Sequence, residues 1–143
     1  MRPRAWMVLT AGLALAAGAQ KQDSAAADRV KLQGTWVPIF AERNGRPSEE
    51  FKRFTFTFDG DTLIIKKSPE ESREGTFKLD STTTPRQITI LPVDFKHTLK
   101  GIYAFDGDNL KLCLGDLGKD RPTEFATRQG SQSVLIILKR EKP

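Results

Sequence analysis

The sequence is poor in the residues that metal and redox chemistry require. It holds one cysteine, Cys113, and one histidine, His97. A single cysteine excludes an intramolecular disulfide, and a single histidine excludes a histidine-based metal cluster. Cys113 lies in Leu112-Cys113-Leu114, where a free thiol is either a small packed hydrophobe or an odd reactive group. Its leucine neighbours lack the electropositive setting that activates a thiolate, which argues against a Cys113–His97 catalytic pair. No Gly-x-Ser-x-Gly elbow is present, so an acyl-transfer serine has no scaffold. Acid pairs such as Asp116 and Asp120 read as solvated loop charges rather than a glycosidase dyad. No metal, cofactor or catalytic residue is expected. There is also no dense Lys/Arg block, since bases and acids interleave, and a nucleic-acid partner is therefore not expected.

Long apolar runs are scarce as well. The longest begins at Trp6 and ends at Ala17, too short for a membrane span but suited to the core of a secretory signal. Arg2 and Arg4 precede it, and Ala17-Gly18-Ala19 supplies small residues at a cleavage site. A second candidate site ends at Ala27. Residues 1–19 are expected to be a signal peptide, which places the mature chain in the periplasm or outside the cell, soluble and with no stable membrane span. Those 19 residues hold two of the 23 bases and no acid, so the formal charge of +5 falls to +3 without them. Residues 20–29, small and polar, are expected to be a flexible or briefly helical leader. Residues 30–141 are then one domain, long enough to build a core without staples.

Within that domain the dominant pattern is period-two alternation. Phe54-Thr55-Phe56-Thr57-Phe58 alternates aromatic and polar, followed by Asp59-Gly60 and a return strand from Thr62 to Lys67. Alternation flanking Asp-Gly is a strong hairpin signal. Further strands are expected at 75–79, 87–91, 97–105, 109–114 and 133–140, with an edge-like strand at Pro122–Thr127. Phe58-Asp59-Gly60-Asp61 is echoed by Phe105-Asp106-Gly107-Asp108. The first fails the calcium-loop pattern at its fifth and sixth positions, Leu63 and Ile64, and the second at its twelfth, Leu117, so both read as hairpin turns. Ser48 to Arg53, with acids first and bases last, reads as a short helix. The expectation is an all-β, antiparallel up-and-down barrel of 8–9 short strands, with one short helix after the first strand.

The first strand opens with Gly34-x-Trp36. Glycine lets a leading turn approach the barrel end, and Trp36 closes that end. If Val134, Ile136 and Leu138 face inward, so does Arg140, which then stacks on Trp36. Gly34, Trp36 and Arg140 are the expected closure residues. This pairing resembles the lipocalin and wider calycin superfamily, which implies a calycin-like barrel. A second resemblance spans nearly all of residues 31–141. The blocks Leu32 to Trp36, Phe56 to Asp61, Glu74 to Asp80, Gly101 to Tyr103, Leu110 to Leu114 and Lys119 to Phe125 are together similar to an uncharacterised exported domain family of planctomycete bacteria. That resemblance implies a signal peptide and a compartment, but no mechanism.

Two functions fit this reading. One is a non-catalytic binding domain whose inward Phe56, Phe58, Phe77, Ile90, Tyr103, Phe105 and Leu112 line a cup for a small apolar molecule, with Tyr103 as polar handle. The other is a filled barrel that contacts an envelope protein, through the Pro122–Thr127 edge or the polar run from Lys119 to Glu124. That run is either a recognition loop or a turn whose Asp and Arg pair locally.

Overall fold

A computed structural model describes residues 24–93 and 96–141 of the chain. Residues 24–32 form a helix (α1), and nine strands follow. They are β1 (Gly34–Arg43), β2 (Arg46–Pro47), β3 (Thr55–Asp59), β4 (Thr62–Lys66), β5 (Ser72–Asp80), β6 (Arg86–Pro92), β7 (Leu99–Asp106), β8 (Asn109–Leu114) and β9 (Val134–Arg140). The order is β2-β1-β3-β4-β5-β6-β7-β8-β9, and β1 also pairs with β9. Every neighbouring pair is antiparallel. The result is a closed eight-stranded meander, with the two-residue β2 as a flange on the end of β1.

Alternation builds the core. Phe56, Phe58, Leu63, Phe77, Ile88, Tyr103, Leu110, Leu112, Ile136 and Leu138 are buried together in one cluster. A smaller cluster of Ile102, Cys113 and Leu135 lies on the outer wall, with Phe40 and Phe125 packed on it. The repeated Asp-Gly segments sit at two hairpins, β3–β4 and β7–β8, whose Gly60 and Gly107 both have φ of +61°. Such a positive φ at the first central residue matches the twist of the flanking strands.

The first end of the barrel is shut by interactions around the Gly-x-Trp. Trp36 is 2% exposed and pairs in register with Arg140. The Arg140 guanidinium lies 4.4 Å from the Trp36 ring centroid. Trp36 Nε1 donates to Leu32 O at 2.8 Å, while Arg140 donates to Lys31 O and Gln33 O. The carbonyls at the C-terminus of α1, which have no partner within a helix, are thus satisfied from the barrel. Because Arg140 is exposed, its stacking contributes only about 0.5–1 kcal/mol. Gly34 has φ of +113°, and a Cβ there would lie 2.9 Å from Arg140 Nη1. Both facts demand glycine.

Residues 24–29 of the expected leader lie in α1. Asp28 is 6% exposed and accepts from Tyr103 OH at 2.6 Å and from Arg86 Nη1 at 2.8 Å. Gln33 bonds both the N–H and the carbonyl of Gly60, and Arg29 pairs with Asp61 at 3.2 Å. Polar side chains of α1 therefore tie it across the barrel end.

The short helix expected within Ser48 to Arg53 is present as a single 3-10 turn at Phe51–Arg53, with no side-chain cap. The Ser48 N–H donates to Ala41 O at 2.8 Å, so this residue continues the β1–β2 hairpin instead of capping a helix. Pro122–Thr127 is not a strand. Closure of β9 on β1 leaves β8 and β9 paired on both sides, so no barrel edge is open for it to join. Residues 115–133 instead form a long loop held to the wall through side chains. Arg121 donates to Ile88 O and Gly101 O at 2.8 and 2.7 Å and to Thr89 Oγ1 at 2.9 Å. Thr127 Oγ1 donates to Glu42 Oε1 at 2.7 Å. The edge proposed for strand addition does not exist.

Two outcomes follow from the shut end. Trp36→Ala should lower unfolding free energy by about 3–5 kcal/mol, the cost of a large core truncation, in chemical denaturation. An unchanged transition midpoint would refute the closure described. The Tyr103 phenol is held above its ordinary pKa of 10.0, first by burial and then by its hydrogen bond to Asp28. A proton held more tightly by the folded state stabilises fully below the unfolded pKa and is lost above it. Tyr103→Phe should therefore cost about 1.5–3 kcal/mol at neutral pH through the lost bond to a carboxylate. Its stability should also fall less steeply than wild type above pH 10.0. Parallel alkaline profiles would contradict this.

Candidate functional site: the open mouth of the barrel

Among the described residues, no helix like α1 covers the opposite end. There the chain passes through the 3-10 turn, the β4–β5 connection and the loop after β8. A depression of about 470 Å³ opens among them, lined by Arg43, Phe51, Leu63, Ile65, Arg73, Glu74, Gly75, Ile90, Pro92, Leu99, Asp116 and Leu117. It continues into a smaller, more enclosed space of about 230 Å³ that shares Arg43, Phe51, Ile65 and Arg73 and reaches Phe56, Val134 and Ile136. The floor is apolar and the rim is charged.

The two arginines reach this rim for separate reasons. On β5, Gly75 and Phe77 are buried while Glu74, Thr76 and Lys78 are exposed. Arg73 shares the phase of Gly75 and Phe77 and stands opposite Ile65, so alternation carries it to the inner side of the mouth. Gly75 keeps the wall low, since a Cβ there would lie 2.4 Å from Leu91 O. On β1, a register shift falls between Pro38 and Phe40. Such an extra residue reverses which face the following side chains occupy. Trp36 is inward before it, and Ala41 is 1% exposed after it, so Arg43 shares the inner phase. Its guanidinium lies 5.5 Å from the Phe51 ring centroid, and Phe51 packs on Phe54 at 5.3 Å. The acids are placed differently. Glu74 has the outward phase of β5, and Asp116 Oδ1 accepts the Leu117 N–H at 2.9 Å.

The residues expected to line a cup come together, but as a packed core. Phe56, Phe58, Phe77, Ile90, Tyr103 and Leu112 are all 3% exposed or less. Phe58 meets Phe77 edge-on at 5.2 Å. Of these, Ile90 lines the mouth and Phe56 its smaller continuation. Phe105 is half-buried at the shut end, edge-on to Tyr103 at 6.0 Å with Lys31 Nζ 4.3 Å above its ring. Tyr103 donates its hydroxyl to Asp28 at 2.6 Å. Sequence reasoning missed Arg43, Arg73, Leu99 and the Asp28–Arg86 pair. The phase of Arg73-Gly75-Phe77-Leu79 was visible as alternation, whereas nothing in the sequence announced the irregularity on β1.

The polar run from Lys119 to Glu124 follows neither expected pattern in full. Arg121 is spent on the β6–β7 seam rather than on a local acid, and burial lowers its pKa. Cys113 sits in the outer cluster with its Sγ–H directed at Ala126 O at 3.8 Å, and burial pushes the thiol up to about 11. Among the described residues no three His, Cys, Asp or Glu side chains gather as a metal-ligand set, and no helix is long and apolar enough to cross a membrane.

Comparison with protein-family models, curated proteins and solved structures finds no match. The functional reading therefore rests on the mouth's geometry.

The state of Cys113 is directly testable. A thiol pushed to about 11 is almost wholly protonated at pH 8, and the thiolate is the nucleophile. Iodoacetamide at pH 8 should label the denatured chain readily and the native chain scarcely. Equal labelling rates would show that the outer cluster opens freely.

Proposed function

We propose that this domain is a non-catalytic binding module that takes a small, largely apolar molecule at the open mouth of an otherwise filled barrel. The observation that carries this reading is the depression of about 470 Å³ with an apolar floor of Phe51, Leu63, Ile65, Ile90 and Leu99. Its size falls in the range of roughly 300–1,000 Å³ typical of small-molecule sites. A non-catalytic role is supported by the lone His97 and by a thiol that is buried and raised in pKa. Export to the periplasm or the extracellular space is supported by Arg2, Arg4, the apolar run from Trp6 to Ala17 and the small residues that follow. The resemblance to an exported planctomycete family agrees with that compartment.

A second reading, a protein-interaction module acting on an envelope protein, is favoured by one observation. Six of the seven residues expected to form a cup are core, so the barrel has little interior to offer. Under this reading the contact surface is the polar run from Lys119 to Glu124, whose Lys119, Asp120, Thr123 and Glu124 are exposed, or the rim of the mouth.

Native mass spectrometry of the protein purified from its own host separates the two. An adduct that disappears on denaturing extraction supports the ligand reading and gives the ligand's mass. A bare chain in both spectra overturns it, and crosslinking then identifies the protein contact. The measured mass also tells whether the mature chain starts after Ala19 or after Ala27.

A further inference from the structure

Resting on the export reading above, we infer that processing of the precursor stops at or before Ser24: the mature domain keeps the whole of α1, and Ala25-Ala26-Ala27 is helix and not a cleavage site. By residue type that motif and Ala17-Gly18-Ala19 are equal candidates. The second lies outside the described residues, whereas all three alanines of the first lie in α1, residues 24–32. In an α-helix each N–H is bonded to the carbonyl four residues back. The carbonyls of residues 24–27 therefore serve the N–H groups of residues 28–31. A cut after Ala27 removes all of these acceptors. Residues 28–32 would keep one such bond, from Leu32 to Asp28, and so short a segment does not hold a helix by itself.

The loss would reach the barrel through the last turn of α1. Trp36 Nε1 donates to Leu32 O at 2.8 Å, and Arg140 donates to Lys31 O and Gln33 O. Those three acceptors stand where they do because the helix ends there. Leu32 itself is fully buried in the core. The cut would also place a charged amino group on Asp28, which is 6% exposed. The Asp28 carboxylate already accepts from Arg86 Nη1 at 2.8 Å and from Tyr103 OH at 2.6 Å. A buried ammonium without a partner of its own is costly. A chain that begins at Asp28 is thus a barrel with its cap undone, and a chain that begins at Gln20 keeps every residue of α1.

Top-down mass spectrometry of the protein from its own host reads the first residue directly. A processed chain that starts at or before Ser24 supports the inference, with Gln20 the expected start. A start after Ser24 overturns it and leaves the export reading standing. An unprocessed chain that starts at Met1 overturns both. A precursor variant asks the same of the protease, which needs a small residue before the cut. Ala27 is exposed in the fold, so Ala27→Phe should be processed at the wild-type rate. Accumulation of that precursor would overturn the inference. The cap is tested apart from processing, by chemical denaturation of chains made without the signal. The chain from Asp28 should unfold at a lower midpoint than the chain from Gln20, and an equal midpoint overturns the inference. If the shorter chain does not fold, a paired variant of the longer one decides. Ala26→Gly with Ala27→Gly weakens helix propensity at two exposed positions. It should lower the midpoint, and an unchanged midpoint shows that the first turns of α1 are dispensable and overturns the inference.

Discussion

Arg140 at the end of the last strand, reaching across Trp36 to the carbonyls of the leading helix, is the contact on which the architecture turns. It lies where the first and last strands meet, so it acts where the barrel must close. The stacking on Trp36 is worth little by itself, because Arg140 is exposed. Its weight comes from coupling. The same guanidinium that lies on the indole takes the carbonyls of Lys31 and Gln33, and the indole takes that of Leu32. A helix of nine described residues is marginal alone in water. Here its open carbonyls are completed by the barrel, and the barrel's end is covered by the helix.

That coupling makes the two ends of the molecule unlike. At the shut end Asp28 is buried with Tyr103 and Arg86, while Gln33 with Gly60 and Arg29 with Asp61 are exposed ties around it. At the other end the connections are longer, and among the described residues no helix like α1 lies across them. The 3-10 turn at Phe51–Arg53 covers part of the opening, but it buries none of its residues fully. Apolar side chains at the mouth therefore lie beside arginines and solvent among the described residues.

The architecture was largely legible in the sequence because its signals are local. Alternation of Phe56 with Phe58, or of Leu110 with Leu112, states a half-buried strand without reference to the rest of the chain. The pairing of Trp36 with Arg140 could be read because the last strand's phase is unbroken from Val134 to Arg140. Where legibility failed, long-range competition decided. Ser48 looks like a helix cap until the β1–β2 hairpin claims its N–H. Pro122–Thr127 looks like a strand until closure of β9 on β1 leaves β8 and β9 paired on both sides. Asp28 reads as leader until the fold brings Tyr103 and Arg86 to it from 75 and 58 residues away.

The candidate site shows the same division more sharply. Arg73 is in phase with Phe77 and Leu79, so its inward position followed from alternation alone. Arg43 did not, because unbroken alternation from Trp36 would place Phe40 and Glu42 inside and Arg43 outside. One extra residue near Ile39 reverses this, sending Phe40 to the outer cluster with Cys113 and Arg43 to the mouth. The irregularity thus serves both faces of the wall. It gives the outer loop an aromatic to pack on, and it gives the mouth its second cation. A strand without it would put Glu42 on the inner face in place of Arg43, with an acid where the mouth now has a cation beside Phe51.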